Sequence, residues 1–362
     1  MTQHTPPHVY VIAEAGVNHN GSRDMAFALV DAAAQAGADA VKFQTFNADL
    51  LAAQSAPKAD YQRRTTDAEE SQHAMLKRLE LKREWHLELQ AHAKRQGLSF
   101  LSTAFDADSL SFLCELDMPL FKVPSGEITN APLLWRFART GKPLVLSTGM
   151  ANLAEVEQAL AIVCHALAHA QEPASLQDVM RCWSEPAARA RLQGHVTLLH
   201  CTSQYPTAME EVNLRAMDTL ATAFGLPVGY SDHTEGFLIP VAAVARGATI
   251  IEKHFTLDRQ LPGPDHKASL EPQELTDMVR QIRALSLAMG HGTKSPQPSE
   301  WNTRLAARQR VVAARPVAAG AAYARADLTT ARAARGVPAA ELWDLVGTLA
   351  ARALAAGEAI ER

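Results

Sequence analysis

The chain has 362 residues, of which 47% are hydrophobic and 20% are charged, and its formal net charge at pH 7 is −4. This composition predicts a globular protein with one large and one small domain, and the acidic balance argues against a nucleic-acid partner. No apolar run approaches the ~20 residues of a membrane span, so we expect no membrane partner either.

The N-terminal residues and the cysteines indicate where the protein resides. Residues 1–7 are polar and lack the apolar centre of a secretory signal. The four cysteines show no CxxC spacing, which predicts reduced thiols rather than a disulfide framework or a zinc site. We therefore expect a cytoplasmic protein.

Eight short β-rich segments alternate with helix-like segments over roughly the first 290 residues. Such apolar strands separated by helices predict a parallel sheet, and eight units predict a closed (β/α)8 TIM barrel. The helix-like stretch DMAFALVDAAAQAG, with Gly37 at its end, is typical of the connecting helices. The predicted strands are Val9–Gly16, Ala40–Phe46, Leu98–Phe105, Leu120–Glu127, Pro143–Met150, Val196–Ser203, Pro227–His233 and Thr249–Phe255.

Two segments interrupt this repeat. Residues 49–71, after the second strand, are polar and long for a βα loop, which makes them a candidate lid. Residues 172–194 lengthen the connection before the sixth strand, and we expect additional surface helix there.

The composition changes after residue 291, where the barrel domain is predicted to end. Residues 292–300, GTKSPQPSE, are typical of a linker. Residues 301–362 are rich in alanine and carry nine arginines against five acidic residues, a net charge of about +4 that leaves about −8 for the rest. Their short alternating apolar positions and glycine breaks predict a small β-rich domain, although alanine by itself favours helix.

The ends of the predicted strands carry polar or ionisable side chains in all eight cases. In a (β/α)8 barrel the active site is built from the C-terminal ends of the strands. We therefore predict one polar site at this face of the barrel. Its residues, in chain order, are Glu14, Lys42, Thr103, Lys122 with Ser125 and Glu127, Ser147, Ser203 with Tyr205, Ser231 with His233, and His254.

The residue types in this set indicate the chemistry. Two lysines and several small hydroxyls suit a phosphate, and Gly126 lets backbone N–H groups approach an anion. His233 and His254 suit a divalent cation such as Mn²⁺, Co²⁺ or Zn²⁺ with positions left open for substrate. Glu14 and Glu127 are candidates for metal-shell, sugar-binding or proton-transfer roles.

Each assignment has a structural alternative. The two histidines can be a coincidence among 14, Lys42 can be an ion-pair partner in the barrel, and Tyr205 can be a capping hydroxyl. We place neither Glu252 nor Lys253 in the site, because their alternation sends one of them toward the helices. Cys201 is expected to pack without chemistry.

Seven motifs in order resemble the sialic acid synthase family. They are IAEAGVNHNG, VKFQTF, FKVPSGEITNAP, LSTGMA, GYSDHT, IEKHFTLD and GPDHKASLEP, and the tail ARAARG resembles the family's antifreeze-like (SAF) domain. The resemblance implies an enzyme, a transferase that condenses phosphoenolpyruvate with an N-acetylmannosamine-type sugar. The stretches FKVPSGEITNAPLL and STGMANLAEVEQAL look most like legionaminic acid synthases, while the remainder also fits N-acetylneuraminate synthases.

The resemblance also implies a role for each matching residue. It implies that His233 and His254 hold a divalent metal, most often Mn²⁺, with Co²⁺, Mg²⁺ or Zn²⁺ possible. It implies a water-handling role for Glu127, and it implies a domain-swapped homodimer in which Arg332 reaches the partner's sugar site, with Arg335 as a competitor. The residues matched to phosphoenolpyruvate are Lys42, Thr103, Lys122, Ser125, Ser147, Ser203 and Ser231, and those matched to the sugar are Glu14, Tyr205 and Asp265.

Two other functions stay open at this point. One is a different phosphoenolpyruvate-dependent 3-deoxy-ulosonate synthase, and the other is a sugar-binding protein without catalysis. The small C-terminal domain argues against the first, and the complete row of polar strand ends argues against the second.

Overall fold

The computed structural model describes residues 8–67 and 69–362. The chain divides into two compact units, one ending at Gly290 and the other comprising His291–Arg362. In the described residues, no helix is both long and apolar enough to cross a membrane.

The first unit is built on eight parallel strands at nearly the predicted positions. Each strand pairs with its neighbour in the order β3-β2-β1-β8-β7-β6-β5-β4, and β3 contacts β4 where the sheet closes. This arrangement confirms the predicted (β/α)8 barrel. The strands are β1 Tyr10–Gly16, β2 Ala40–Thr45, β3 Ser99–Ala104, β4 Phe121–Val123, β5 Leu144–Ser147, β6 Val196–His200, β7 Val228–Asp232 and β8 Ile250–His254.

The helices surround this sheet and cover its outer face with apolar side chains. Asn152 begins the long helix α8 with a capping box, since its side chain accepts from the backbone N–H groups of Ala154 and Glu155. The helices of the first unit are α1 Arg23–Gln35, α2 Ala48–Leu51, α3 Asp60–Thr65, α4 Gln72–Leu79, α5 Arg83–Arg95, α6 Ala107–Leu113, α7 Ala131–Arg139, α8 Leu153–Ala168, α9 Leu176–Ser184, α10 Pro186–Arg189, α11 Ala216–Phe224, α12 Leu238–Ala245 and α13 Pro272–Met289.

Strand β4 is shorter than predicted. The expected strand ran to Glu127, but the ladder ends at Val123 and residues Ser125–Glu127 form a 3₁₀ turn. Pro124 lies between them, and proline has no N–H to donate to a neighbouring strand. The consequence is that Ser125 and Gly126 lie in a turn above the barrel end rather than in the sheet.

The candidate lid after β2 is described except for residue 68. It contains the end of α2 and all of α3, and the buried Lys58 ties it together. The Lys58 ammonium donates to the Thr66 hydroxyl at 3.0 Å, to the Asp67 carbonyl at 2.8 Å and to the Glu70 carboxylate at 3.2 Å. The other irregular segment, residues 172–194, contains α9 and α10 as predicted, and α9 packs on α8.

The second unit is β-rich, as its alternating pattern predicted. Strands β9 Gln309–Ala313 and β10 Leu328–Arg332 pair antiparallel, and further isolated bridges join the chain to them. Helices α14 Trp301–Ala307 and α15 Leu342–Leu345 belong to this unit. Alanine does not impose helix here because large apolar side chains at alternate positions form a small core, which includes Val311, Leu328, Val337, Leu354 and Ile360.

Candidate active site

The carboxyl ends of the eight strands surround one cavity of about 470 Å³. The strand register brings its key residues to one level, because Glu14 lies opposite Lys42 on β2 and opposite His254 on β8. Twelve of the predicted site residues line this cavity. They are Glu14, Lys42, Thr103, Lys122, Ser125, Ser147, Ser203, Tyr205, Ser231, His233, His254 and Asp265.

Two buried lysines lie at the floor of the cavity and share a carboxylate. The Lys42 ammonium lies 2.6 Å from a Glu14 carboxylate oxygen and 3.5 Å from one of Glu252, and it donates to the Thr103 hydroxyl at 2.9 Å. The Lys122 ammonium donates to Glu252 at 3.1 Å. Buried lysines need such partners, and the two ammonium groups with the Glu14 and Glu252 carboxylates form a charge-paired floor.

Glu252 is a site residue that the sequence analysis missed. Its carboxylate also accepts from the Ser231 hydroxyl at 2.8 Å. Burial acts to raise its pKa, but Lys122 and Lys42 outweigh burial and hold the pKa of Glu252 well below its usual range. The sequence did contain a signal for Glu252. It lies two residues before His254 on the same strand, and residues two apart on a strand share a face. Lys253 faces the other way and pairs with the buried Asp232 at 2.5 Å.

The two predicted metal histidines lie side by side in the same cavity, and His254 is the neighbour of Glu14 in the sheet. The ring centroids of His233 and His254 are 5.6 Å apart, and the ring of Tyr205 lies 4.1 Å from that of His233. Burial lowers the pKa of His233 to about 4 and the pKa of His254 well below its usual value. Both imidazoles are therefore neutral at pH 7, which is the form that binds metals.

The hydrogen bonds of these histidines leave ligand atoms available. His233 Nδ1 lies 2.6 Å from the Thr202 carbonyl oxygen, which makes Nδ1 the donor and leaves the Nε2 lone pair free. His254 Nδ1 is buried without a hydrogen-bond partner and lies 3.8 Å from Asp265 Oδ2. These residues fit a divalent cation. Within the described residues no group of three or more His, Cys, Asp or Glu side chains is arranged to hold a metal ion.

Two carboxyl groups of the cavity have pKa values suited to proton transfer. Burial raises the pKa of Glu14 to about 7, although Lys42 acts against it. Burial alone raises the pKa of Asp265 to about 7. A carboxyl group that titrates near neutral pH can both give and accept a proton there.

Small residues form a cradle beside the lysines. A Cβ atom on Gly149 would lie 2.3 Å from Ser203 Oγ and 2.8 Å from Ser125 Oγ, so only glycine fits. The Gly149 N–H donates to Ser125 Oγ at 3.0 Å, and the buried Ser147 hydroxyl has no partner. Cys201 also lines the cavity, with its Sγ 3.2 Å from Ser125 Oγ, and the expectation that it packs without chemistry stays a prediction.

The lid covers the cavity with an aromatic ring and an apolar surface. The Tyr61 ring lies 5.0 Å from that of Tyr205, and Gln72 donates to the Gln62 amide oxygen at 3.4 Å next to it. A separate cluster of apolar side chains lines the same cavity, and we call it the apolar wall. It comprises Val17, Phe46, Leu51, Met75, Leu76, Leu79 and Phe105.

Two predicted site residues are not part of this cavity surface. Glu127 is absent from the described cavity lining, and its carboxylate accepts from the Asn130 amide at 2.6 Å. Arg332 ends β10 in the second unit, where both it and Arg335 are exposed. Their predicted roles stay predictions.

Comparison with known proteins places this geometry in a family. Residues 29–294 match the NeuB family and residues 308–361 match the SAF domain. The N,N'-diacetyllegionaminic acid synthase of Campylobacter jejuni is 46% identical over 94% of this chain and 96% of its own length. The enzyme of the same name from Legionella pneumophila is 43% identical over 96% of this chain and 92% of its own length.

A solved structure agrees with these matches. The N-acetylneuraminic acid synthetase of Leptospira borgpetersenii superposes with a TM-score of 0.65 at 34% identity, over 82% of this chain and 90% of its own. Membership of the family implies a divalent metal ion, which the histidine pair fits. The chain therefore belongs to the NeuB family of synthases, which condense phosphoenolpyruvate with a sugar to make nonulosonic acids, and it is an enzyme of that kind.

Proposed function

We propose that the protein condenses phosphoenolpyruvate with 2,4-diacetamido-2,4,6-trideoxymannose to give N,N'-diacetyllegionaminate and phosphate. The observation that carries the chemistry is the two-lysine floor with its hydroxyl cradle, next to two neutral histidines in one buried cavity. The choice of sugar is supported by the two relatives that are 46% and 43% identical, both of which are N,N'-diacetyllegionaminic acid synthases.

Phosphoenolpyruvate is proposed to bind at the floor. Lys42 and Lys122 supply the positive charge for its phosphate and carboxylate groups, and the unpartnered Ser147 hydroxyl supplies a donor. Glu14 and Glu252 keep the two lysines charged and in place before the substrate arrives. Such preorganised charges stabilise a developing phosphate dianion without reorganisation.

The open-chain sugar is proposed to bind with its aldehyde at the histidines. His233 and His254 would hold a divalent cation, for which we propose Mn²⁺, and the bound ion supplies Lewis-acid polarisation of the aldehyde oxygen. Tyr205 packs against both rings and fixes the position of the sugar beside them. Asp265 and Glu14, with pKa values of about 7, exchange protons with the sugar hydroxyls and the new alkoxide.

The bond changes follow from this placement. The methylene carbon of phosphoenolpyruvate forms a C–C bond to the aldehyde carbon, water adds to the electron-deficient enol carbon, and the C–O bond to phosphate breaks. Lys42 and Lys122 stabilise the leaving phosphate. Glu127 is the residue proposed to position or deprotonate the water that adds to the enol carbon.

The second unit is proposed to complete the site in a cytoplasmic homodimer. The exposed Arg332, or alternatively Arg335, would donate hydrogen bonds to the sugar bound by the partner subunit. The support for this arrangement is the match of residues 308–361 to the SAF domain.

Phosphate release by the purified protein tests the proposal. With phosphoenolpyruvate and Mn²⁺, we expect release to depend on sugar and to be faster with the diacetamido sugar than with N-acetylmannosamine. Mass spectrometry should show N,N'-diacetyllegionaminate as the product. Absence of phosphate release with both sugars would exclude the proposal and favour a binding protein. Release with a pentose or tetrose phosphate alone would favour another 3-deoxy-ulosonate synthase.

A further inference from the structure

We propose that the apolar wall is the element that selects the sugar, by binding the C6 methyl group and the C4 acetamido group. The proposal rests on the proposed function, since it concerns the same cavity. It predicts a preference for an uncharged 6-deoxy sugar over one with a hydroxyl or a phosphate at C6.

The position of the wall follows from the strands that carry it. Val17, Phe46 and Phe105 come just after β1, β2 and β3, a few residues beyond the charged floor. Leu51 and Leu76 approach from α2 and α4 of the lid side. All of these side chains line the cavity, yet they form a cluster separate from the barrel core. Leu51, Leu76 and Phe105 are only partly buried, so the wall presents apolar surface to the cavity, which suits an apolar part of the ligand.

The sugar must extend toward this wall. Phosphoenolpyruvate occupies the floor at Lys42 and Lys122, and the aldehyde lies at the histidines. The Tyr61 ring of the lid lies 5.0 Å from that of Tyr205, which itself packs on His233, so this part of the lid lies beside the proposed aldehyde site. We place the end of the sugar remote from the aldehyde against the wall, which begins directly after β1, β2 and β3.

The described residues that line the cavity offer no free cation to a phosphate at that end. Lys42 and Lys122 are the lysines among the described lining residues, and both are bound to carboxylates at the floor. Lys58 belongs to the lid but is buried in its own contacts with Thr66, Asp67 and Glu70. No arginine of the described chain lines the cavity. A phosphate at C6 would therefore lose water without gaining a cation from its own barrel, which is costly.

The polar groups next to the wall suit an acetamide. Gln62 and Gln72 both line the cavity and are joined by a hydrogen bond between their amides. An amide pairs with an amide through one donor and one acceptor, while the methyl of an acetamido group lies against apolar side chains. The wall and the two glutamines together fit a second acetamido group better than a hydroxyl.

A polar substitution in the wall separates selectivity from catalysis. Leu76 is half-buried on α4, and Leu76→Gln keeps its size while adding an amide. We expect kcat/KM for the diacetamido sugar to fall about tenfold or more, which is the usual effect of a lost apolar contact. We expect kcat/KM for N-acetylmannosamine to change by less than about threefold. The KM for phosphoenolpyruvate should stay the same.

Controls and a second variant make the outcome decisive. Leu87→Gln is the matched control, because Leu87 is 64% exposed on α5 and should leave both sugars unaffected. Leu51→Gln repeats the test from α2 if thermal unfolding shows that Leu76→Gln does not fold. Equal losses for both sugars, or no loss for either, in a folded variant would overturn the proposal.

The wild-type enzyme distinguishes this proposal from the one on which it rests. No phosphate release with any mannosamine-type sugar would overturn the proposed function itself. A preference for N-acetylmannosamine, or turnover of N-acetylmannosamine 6-phosphate, would overturn the selective role of the wall while leaving the synthase reaction intact.

Discussion

Glu252 shows how one residue organises the charged floor. It accepts from Lys122 and Ser231 and lies 3.5 Å from Lys42, so it links β2, β4, β7 and β8. Without it, two buried ammonium groups would face each other with Glu14 alone between them. The position of the two lysines therefore depends on the Glu252 carboxylate that binds them.

Lys122→Ala is expected to weaken the enzyme strongly. The substitution removes a buried cation from the phosphoenolpyruvate site and should cost about 2–4 kcal/mol in kcat/KM, the scale of a broken desolvated charge pair. Lys122→Arg should restore activity only in part, because a planar guanidinium does not replace a compact ammonium. Steady-state kinetics at varied phosphoenolpyruvate measure this effect.

Lys142→Ala serves as the control for this substitution. Lys142 forms an ion pair with the exposed Asp117, and exposed pairs of this kind contribute little. An unchanged catalytic efficiency for Lys122→Ala would remove Lys122 from the site.

His233→Ala and His254→Ala are each expected to abolish turnover. Both rings lie at the cavity surface with a free ligand atom, so their loss removes a metal ligand but little of the core. Chelation of the wild-type enzyme should likewise stop phosphate release, and added Mn²⁺ should restore it. Isothermal titration with Mn²⁺ gives an independent measurement, in which both variants should lose binding.

His169→Ala is the matched control, because His169 is exposed at the end of α8 and outside the cavity. Full activity of the wild-type enzyme in excess chelator would contradict the metal assignment.

At the scale of elements, the joint between α5 and the strands β2 and β3 depends on one buried histidine. His86 of α5 is fully buried, and its Nε2 lies 2.8 Å from the Thr45 hydroxyl of β2. Its ring also packs edge-on against Phe112 at 5.0 Å. Burial lowers the pKa of His86 to about 4, so the helix packs on the sheet with a neutral imidazole.

This joint predicts a loss of stability in mild acid. A histidine with a folded pKa of about 4 and an unfolded pKa near 6.5 takes up its proton first in the unfolded chain. Its contribution to stability is therefore complete above pH ~6.5 and is lost as the pH falls from ~6.5 to ~4. Denaturant unfolding of His86→Gln should show a shallower decline across this range, by up to about 3 kcal/mol, from a lower starting stability.

If His86→Gln keeps the slope of the wild-type protein, the neutral histidine at this joint does not determine the acid sensitivity, and His19 or His266 becomes the candidate, since burial lowers the pKa of each to about 4.

At the scale of the whole molecule, the proposed exchange of Arg332 between subunits can be tested by mixing two inactive variants. Arg332→Ala keeps the barrel site and His233→Ala keeps the tail. Random pairing makes half of the dimers mixed, and each mixed dimer holds one complete site, so activity should recover toward about a quarter of the wild type. Phosphate release after incubation, with subunit exchange verified by native mass spectrometry, measures the recovery.

Arg335→Ala mixed with His233→Ala distinguishes the two candidate arginines, because only the arginine that reaches the partner's site makes its variant inactive at the start. Confirmed exchange without recovery would show that the arginine acts within its own chain or has no role in the reaction.

The sequence by itself determined the barrel and most of the site. Each strand is a short buried run with a polar residue in its C-terminal part or shortly after it, and parallel strands carry these ends to one face, so Lys42, Lys122 and His254 could be placed together without coordinates. The β-rich second unit could also be predicted from the sequence, because alternation of apolar residues outweighs the helix preference of alanine when a core forms. The motifs then identified the family.

Only the tertiary structure decided which side chains complete the site. Glu252 lies on the inner face because β8 has a fixed register with β1 and β7, and a one-residue shift would have presented Lys253 instead. The apolar wall joins residues from Val17 to Phe105 that have no common spacing in the chain. Contacts between a lid and the strand ends beneath it depend on how a long loop folds back, and local sequence does not fix that path.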